Sequence, residues 1–270
     1  MTEAGGASTL RVTNYGTYIS LSGTDSEPQH LARLMAVLQT ICDDSGHPTY
    51  RDIAQRVGLP VSTTHRLVAM LTSAGLCGRR PDGTLVPGVQ LVSLGLRAME
   101  RIQPLPSCQD LVSRLSRETN ESVSFGMLAG GTILLIARQE CEQTLRAVAR
   151  IGDIMPPHRT AMGKAILAHL PVEQRLRLLR RASGSDAADL LDRLGPELER
   201  ALECGYAIDD EEFAQGLRCL AAPVFDHTGH LAGAISISGP IVRFTSAVVA
   251  SCVPLLKETC ALFAAVGAAA

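Results

Sequence analysis

The sequence predicts an α+β protein in two parts: a small helical part closed by a β-hairpin, then a larger part that mixes strands with helices. Three observations predict it. Apolar residues recur at helical spacing in three stretches before residue 75. Pro81-Asp82-Gly83 then separates two short apolar stretches, and beyond residue 107 apolar strand-like runs alternate with helical ones. With 270 residues, 46% hydrophobic and 19% charged, the chain is long enough for one or two cores and too apolar for general disorder.

Residues 1–27 hold 13 Ser, Thr or Gly and no apolar h-region, so they read as a flexible arm rather than a signal peptide or anchor. Leu31, Leu34, Met35, Leu38 and Ile41 make the stripe of an amphipathic helix, which Asp43, Asp44, Ser45, Gly46 and Pro48 stop. A short helix follows, with Ile53, Ala54 and Val57 inward and Gly58 at the left-handed position after its end. Pro60 restarts the chain as a natural first helical residue, and Thr64, Leu67, Val68 and Leu71 repeat the stripe to near Gly75. Residues 77–87, CGRRPDGTLVP, read as a β-hairpin. Three helices and a hairpin outline a winged helix-turn-helix over residues 28–88.

A helical pattern over 89–100 runs into Gln103-Pro104-Leu105-Pro106, which breaks it, so a connecting helix and linker fall at 89–106 and a second domain at 107–270. There, 108–119 reads as a helix. Runs 123–128 and 133–138 read as strands about a Gly-Gly turn, and 145–149 as a third strand. Stretches 163–170, 173–181 and 187–203 are helical, 217–225 and 231–238 are strands around a turn at 226–230, and about 245–265 closes the chain as a helix. No uninterrupted apolar run approaches the ~20 residues of a membrane span.

If the second stripe is buried, Ser62, Thr63, His65 and Arg66 project outward near the start of their helix, where a recognition helix touches base edges and phosphates. Arg79 and Arg80 on the hairpin flank that surface, as does Arg51. Arginines 51, 56, 66, 79 and 80 against Asp52 and Asp82 leave a local +3 on a chain of net charge −2. The same pattern also fits a solvated helical domain.

The strings DIAQRVGLPVSTTHRLVAMLTSAGL and RRPDGTLVPGVQLVSLG resemble the N-terminal domain of the IclR family of bacterial transcriptional regulators. RIGDIMPPHRTAMGKAILAHLP and GYAIDDEEFAQGLRCLAAPVFDHTGHLAGAISISGP resemble its C-terminal domain, and together the matches span about residues 30–265. The sequence departs at Val61, a position often basic in the family, and at Thr64, usually a branched apolar residue. The resemblance implies a winged helix-turn-helix followed by a GAF/PAS-like effector-binding domain. It further implies a double-stranded DNA operator, a small organic acid effector, and a homodimer or homotetramer.

Residues 157–164 enter a helix whose first amides and dipole suit a carboxylate. Ser236 and Ser238 are two apart and share a sheet face, and Cys219 has the parity of Leu217 and Ala221. Alone, these read first as small sheet residues and a buried hydrophobic thiol, ahead of a binding site. The resemblance implies that Asp209, Cys219, Ser236 and Ser238, with the amides of Ala161 and Met162, line the effector pocket. An ionised Asp209 repels a bound carboxylate. It is therefore expected to be protonated or to accept from a ligand hydroxyl, which points to an effector carrying both a carboxylate and a hydroxyl or hydrated carbonyl. Asp210, Glu211 and Glu212 read as solvated or turn-forming.

Eight cysteines without a Cys-x-x-Cys pair, and no export signal, suggest reduced thiols in a cytoplasmic protein. There is no Gly-x-Ser-x-Gly and no phosphate loop, and His227 and His230 have no matching cysteine pair. No catalytic residue, metal, cofactor or membrane partner is expected. The rival reading is an enzyme processing a small acid with Cys219 as nucleophile, its thiol activated by Arg218. The opposite facing of strand neighbours argues against that activation.

Overall fold

A computed structural model of the chain describes residues 26–43, 46–100, 105–183 and 186–266. The arm expected over residues 1–27 lies outside them, except that Ser26 opens the first helix. The described residues form two compact units, one before and one after residue 103.

The first unit comprises α1 (Ser26–Asp43), α2 (Tyr50–Val57), α3 (Val61–Ser73), the hairpin β1 (Cys77–Arg79) and β2 (Leu85–Pro87), and α4 (Val89–Glu100). Its core joins Val37, Leu38 and Ile41 to Ile53, Leu67, Val68, Leu71, Cys77 and Leu85. Thr49 and Asp52 exchange side-chain and backbone bonds in a capping box that starts α2, and Gly58, at φ 66°, ends it. Thr64 sits in the buried stripe of α3 and donates its hydroxyl to the Pro60 carbonyl at 3.2 Å. That bond is why a polar residue is tolerated where an apolar one is usual. At the hairpin tip the Gly83 amide donates to the Arg80 carbonyl at 2.9 Å, and Asp82 accepts from both the amide and the hydroxyl of Thr84.

The second unit runs α5 (Leu105–Thr119), β3 (Ser122–Ala129), β4 (Thr132–Gln139), β5 (Ile154–Met155), α6 (Ala161–Ala168), α7 (Val172–Ser183), α8 (Ala187–Cys204), β6 (Ala207–Asp210), β7 (Leu217–Phe225), β8 (Leu231–Pro240) and α9 (Ser246–Val266). The strands form one antiparallel sheet in the order β5-β4-β3-β8-β7-β6. Helices α5 and α9 cover one face, where Phe125 stacks on Phe263 with centroids 5.2 Å apart; α6 covers the other, backed by α8. Helix α9 contains an 18-residue stretch, Ser246–Phe263, that is long and apolar enough to cross a bilayer by length and composition. It is nevertheless amphipathic: Val249, Cys252, Leu256, Cys260 and Phe263 form its buried stripe, while Lys257 and Glu258 are exposed.

Two expectations are corrected. Residues 145–149 form no strand; the edge strand is Ile154–Met155, paired with Ile133 and Leu134 of β4. The carbonyls of Leu145 and Ala147 accept from Arg243 and Arg138 instead of from a neighbouring strand. Helix α5 begins at Leu105 rather than near 108, because Pro106 falls in its first turn, where a missing N–H costs no helical bond.

Helix α6 lies against the segment before it so closely that a Cβ at Gly163 would stand 2.1 Å from the Pro157 carbonyl oxygen. Gly163→Ala is therefore expected to lower stability by about 3 kcal/mol or more. Urea unfolding at constant m-value measures it, and an unchanged midpoint would show that the Pro157 segment yields without cost.

Candidate functional site

Between the sheet and the start of α6 lies a cavity enclosing about 770 Å³, its open mouth included. Strand register builds its floor. Ser122, Ser238, Cys219 and Asp209 stand directly opposite one another across β3, β8, β7 and β6, and Arg138, Ser124, Ser236 and Ala221 form the next row across β4, β3, β8 and β7. Residues opposite in register share a face, so these polar groups collect on the side that α6 covers. Ala161, Met162, Asp209, Cys219, Ser236 and Ser238 all line this one cavity.

Thr160 caps α6 by accepting from the Gly163 amide at 3.2 Å. The amides of Ala161 and Met162, ahead of the first intrahelical acceptor, meet no acceptor among the described residues. Oδ1 of Asp209 accepts from the amides of Glu212 and Phe213 at 2.9 and 3.2 Å. Burial pushes the Asp209 carboxyl up to about 6, although those two amides pull it back. Burial, with the adjacent Asp209 carboxylate, holds the Cys219 thiol far above its ordinary range. Arg218 turns away and pairs with Asp210 at 2.9 Å through two nitrogens. Cys219 is thus a protonated thiol beside an acid, the reverse of an activated nucleophile.

Of the three acids read as solvated or turn-forming, Glu211 occupies a turn at φ 64° and accepts from the Gly216 amide at 2.7 Å. Glu212 is a partner for buried Lys164, which also meets Glu197 at 2.7 Å. Of several lining residues that escaped the sequence reading, Arg138, hydrogen-bonded to Ser124, is a deeply buried charge. A bulge hid it: Ser124 opposes Arg138 and Phe125 opposes Ala137, but Gly126 opposes Leu135, so Ile136 is an extra residue. The bulge puts Arg138 and Leu135 on one face although they are three apart, which strict alternation forbids.

In the first unit, Ser62, His65 and Arg66 are exposed on α3 and Thr63 is half-exposed; Arg51, Arg79 and Arg80 are exposed. The His65 ring stacks on Tyr50 with centroids 3.9 Å apart and planes 4° from parallel, and the Arg79 guanidinium lies 5.9 Å from the same ring. Tyr50 thereby ties together side chains from α2, α3 and the hairpin. Val61, the departure noted in the sequence, is exposed on the same helix and adds no charge there.

Comparison with known proteins follows the same division. Residues 30–81 match the family described as the IclR helix-turn-helix domain, and residues 97–262 match the bacterial transcriptional regulator IclR C-terminal domain. The chain is 33% identical to the HTH-type transcriptional repressor AllR of Klebsiella pneumoniae, over 86% of this chain and 87% of that one. It is 32% identical to the transcriptional repressor IclR of Escherichia coli K12, over 84% and 85%. Among solved structures, an IclR homologue from Microbacterium hydrocarbonoxydans, in complex with 4-hydroxybenzoate, superposes with a TM-score of 0.71 at 24% identity, covering 89% of this chain and all of that one.

The raised Asp209 gives a pH prediction. Its folded value, about 6, lies above the ordinary 3.8, so the folded state holds a proton there that the unfolded state releases. The cost is absent below about pH 4, grows through that window and is complete above pH 6. Asp209→Asn should therefore stabilise the protein by about 3 kcal/mol at pH 7.5, with the gain shrinking below pH 6 and vanishing only below about pH 4. Thermal unfolding across that range checks it, and a gain independent of pH would contradict it.

Proposed function

The chain belongs to the IclR family of bacterial transcriptional regulators, and from that premise we propose a specific division of labour. Helix α3, through Ser62, Thr63, His65 and Arg66, reads an operator, with Arg51, Arg79 and Arg80 holding the flanking phosphates. The cavity of the second unit binds a small carboxylic acid, held by the amides of Ala161 and Met162 with Ser236 and Ser238, while Asp209 accepts from or donates to a hydroxyl on the same molecule. Cys219 packs between them as a neutral thiol, and the protein works in the cytoplasm without enzymatic turnover.

The observation that carries the reading is the register itself, which aligns Ser238, Cys219 and Asp209 in one row and Ser236 in the next, beneath the start of α6. Free amides, hydroxyls and a carboxyl near its titration point suit a hydroxy acid better than an apolar ligand. The Microbacterium homologue is complexed with 4-hydroxybenzoate, a molecule with both groups. A dimer on a pseudo-palindrome supplies the contacts that one small domain lacks. The exposed stripe Val89, Val92 and Leu96 on α4 supports self-association, with tetramers as the higher state. Effector binding acts by favouring one arrangement of paired DNA-binding units.

Mobility shifts on the intergenic DNA upstream of the protein's own gene, at fixed salt with a panel of small hydroxy acids, test this. The wild type should give a discrete shift that one acid alters. Arg66→Ala should weaken the shift at least ten-fold and leave acid binding intact. Ser238→Phe should keep the shift and lose the acid response. If both variants match the wild type, the assigned residues are wrong, and without any specific shift the regulator reading falls.

A further inference from the structure

The surface assigned to DNA in the first unit holds a residue that is not among its assigned contacts. Tyr50 is the first residue of α2, and the capping box places its backbone, the Thr49 amide donating to Asp52 at 2.8 Å. Its side chain, partly buried, packs against the core that joins α1, α3 and the hairpin. From that anchored position the ring carries two exposed neighbours. The imidazole of His65 stacks on it at 3.9 Å with planes 4° from parallel, and the Arg79 guanidinium lies 5.9 Å from its centroid. Among the described residues, no hydrogen bond or ion pair holds the side chain of His65 or of Arg79.

An exposed histidine without a partner samples several rotamers, and ordering it at an interface is a cost of binding. The stack removes that freedom before DNA arrives. Ring nitrogens lie in the ring plane, so a partner on the face leaves Nδ1 and Nε2 open at the edge. The plane of the stack then fixes the direction of any hydrogen bond to a base edge, and such bonds weaken steeply off line. We propose that Tyr50 is a positioning residue for operator reading, which holds the His65 edge in the orientation that reads a base and steadies Arg79 beside it. The inference rests on the operator reading above and concerns how that same surface becomes sequence-specific. Its route is His65. Arg79, placed on phosphates, adds affinity to every duplex alike, whereas a base contact adds it to the operator alone.

Fluorescence anisotropy of the full-length protein at fixed salt separates this from a structural role. The probes are the intergenic duplex upstream of its own gene and a random-sequence duplex of the same length, and the readout is the ratio of their dissociation constants. Tyr50→Leu keeps apolar packing and loses the stack. The ratio should fall about ten-fold, with random-duplex binding weakened no more than about three-fold. Tyr50→Phe keeps a ring for the stack and should hold the ratio within about two-fold of wild type. In the His65→Ala background, Tyr50→Leu should cost no further specificity, because its route is gone. A merely structural tyrosine would weaken both duplexes alike and leave the ratio unchanged, which overturns the inference, as does an undiminished loss in the His65→Ala background. His65→Ala alters only an exposed side chain, so it stands as a test even where Tyr50→Leu fails to fold. An unchanged ratio in that variant overturns the inference and leaves the operator reading, which Arg66→Ala tests, in place. If the wild type does not distinguish the two duplexes, both fall together.

Discussion

Helix α6 is closely packed at two glycines, Gly163 against the segment that precedes the helix and Gly126 beneath it on the sheet. A methyl at Gly163 would stand 2.1 Å from the Pro157 oxygen, and one at Gly126 would stand 2.8 Å from Ile133 and 3.0 Å from Met162. That contact brings the first amides of α6 down to the sheet face on which Ser124, Ser236 and Ser238 emerge. It also buries groups whose charges must then be met. Lys164, on α6, is 1% exposed and is met by Glu197 from α8 and Glu212 from the turn after β6. Asp209 holds that turn by accepting from the amides of Glu212 and Phe213. One close packing thus sets the cavity floor, its amide donors and the ion pairs behind it.

The segment over the cavity is held differently. Residues 145–149 make no ladder bonds, and their carbonyls are held by side chains from β4 and from the turn after β8. Arg138 holds the Ala147 carbonyl, and Arg243 holds that of Leu145 while gripping buried Glu121 through both its carboxylate oxygens.

Much of this was legible in the sequence, and the gaps have physical causes. Helical spacing found α1 and α3, Gly58 marked the end of α2, and Pro81-Asp82-Gly83 marked the hairpin. Parity put Ser236 and Ser238 on one face and Cys219 on that of Leu217 and Ala221; only the register of β7 on β8, with Cys219 opposite Ser238, brings the two sets together. The row that joins them to Asp209 depends on β6, a four-residue strand too short to show a pattern. Arg138 was hidden by the bulge at Ile136, which breaks the alternation on which strand reading depends. The largely apolar 145–149 run reads like a strand because its residues line a cavity, not because its backbone pairs. Tyr50 gave no signal, since stacking on His65 from the next helix is a tertiary contact.

Where one acid and one operator act on the same protein, linkage makes their coupling measurable from either side. If an acid changes operator affinity by some factor, the operator must change the acid's affinity by the same factor. The most direct measurement is the dissociation constant of the most effective acid, determined by calorimetry for the free protein and again for the protein saturated with operator DNA. In an effector-controlled regulator the two constants differ by the factor that the acid imposes on DNA binding, about five-fold or more. Identical constants would mean that the cavity and the DNA-binding surface are energetically independent, and the account of an effector-controlled regulator would be wrong.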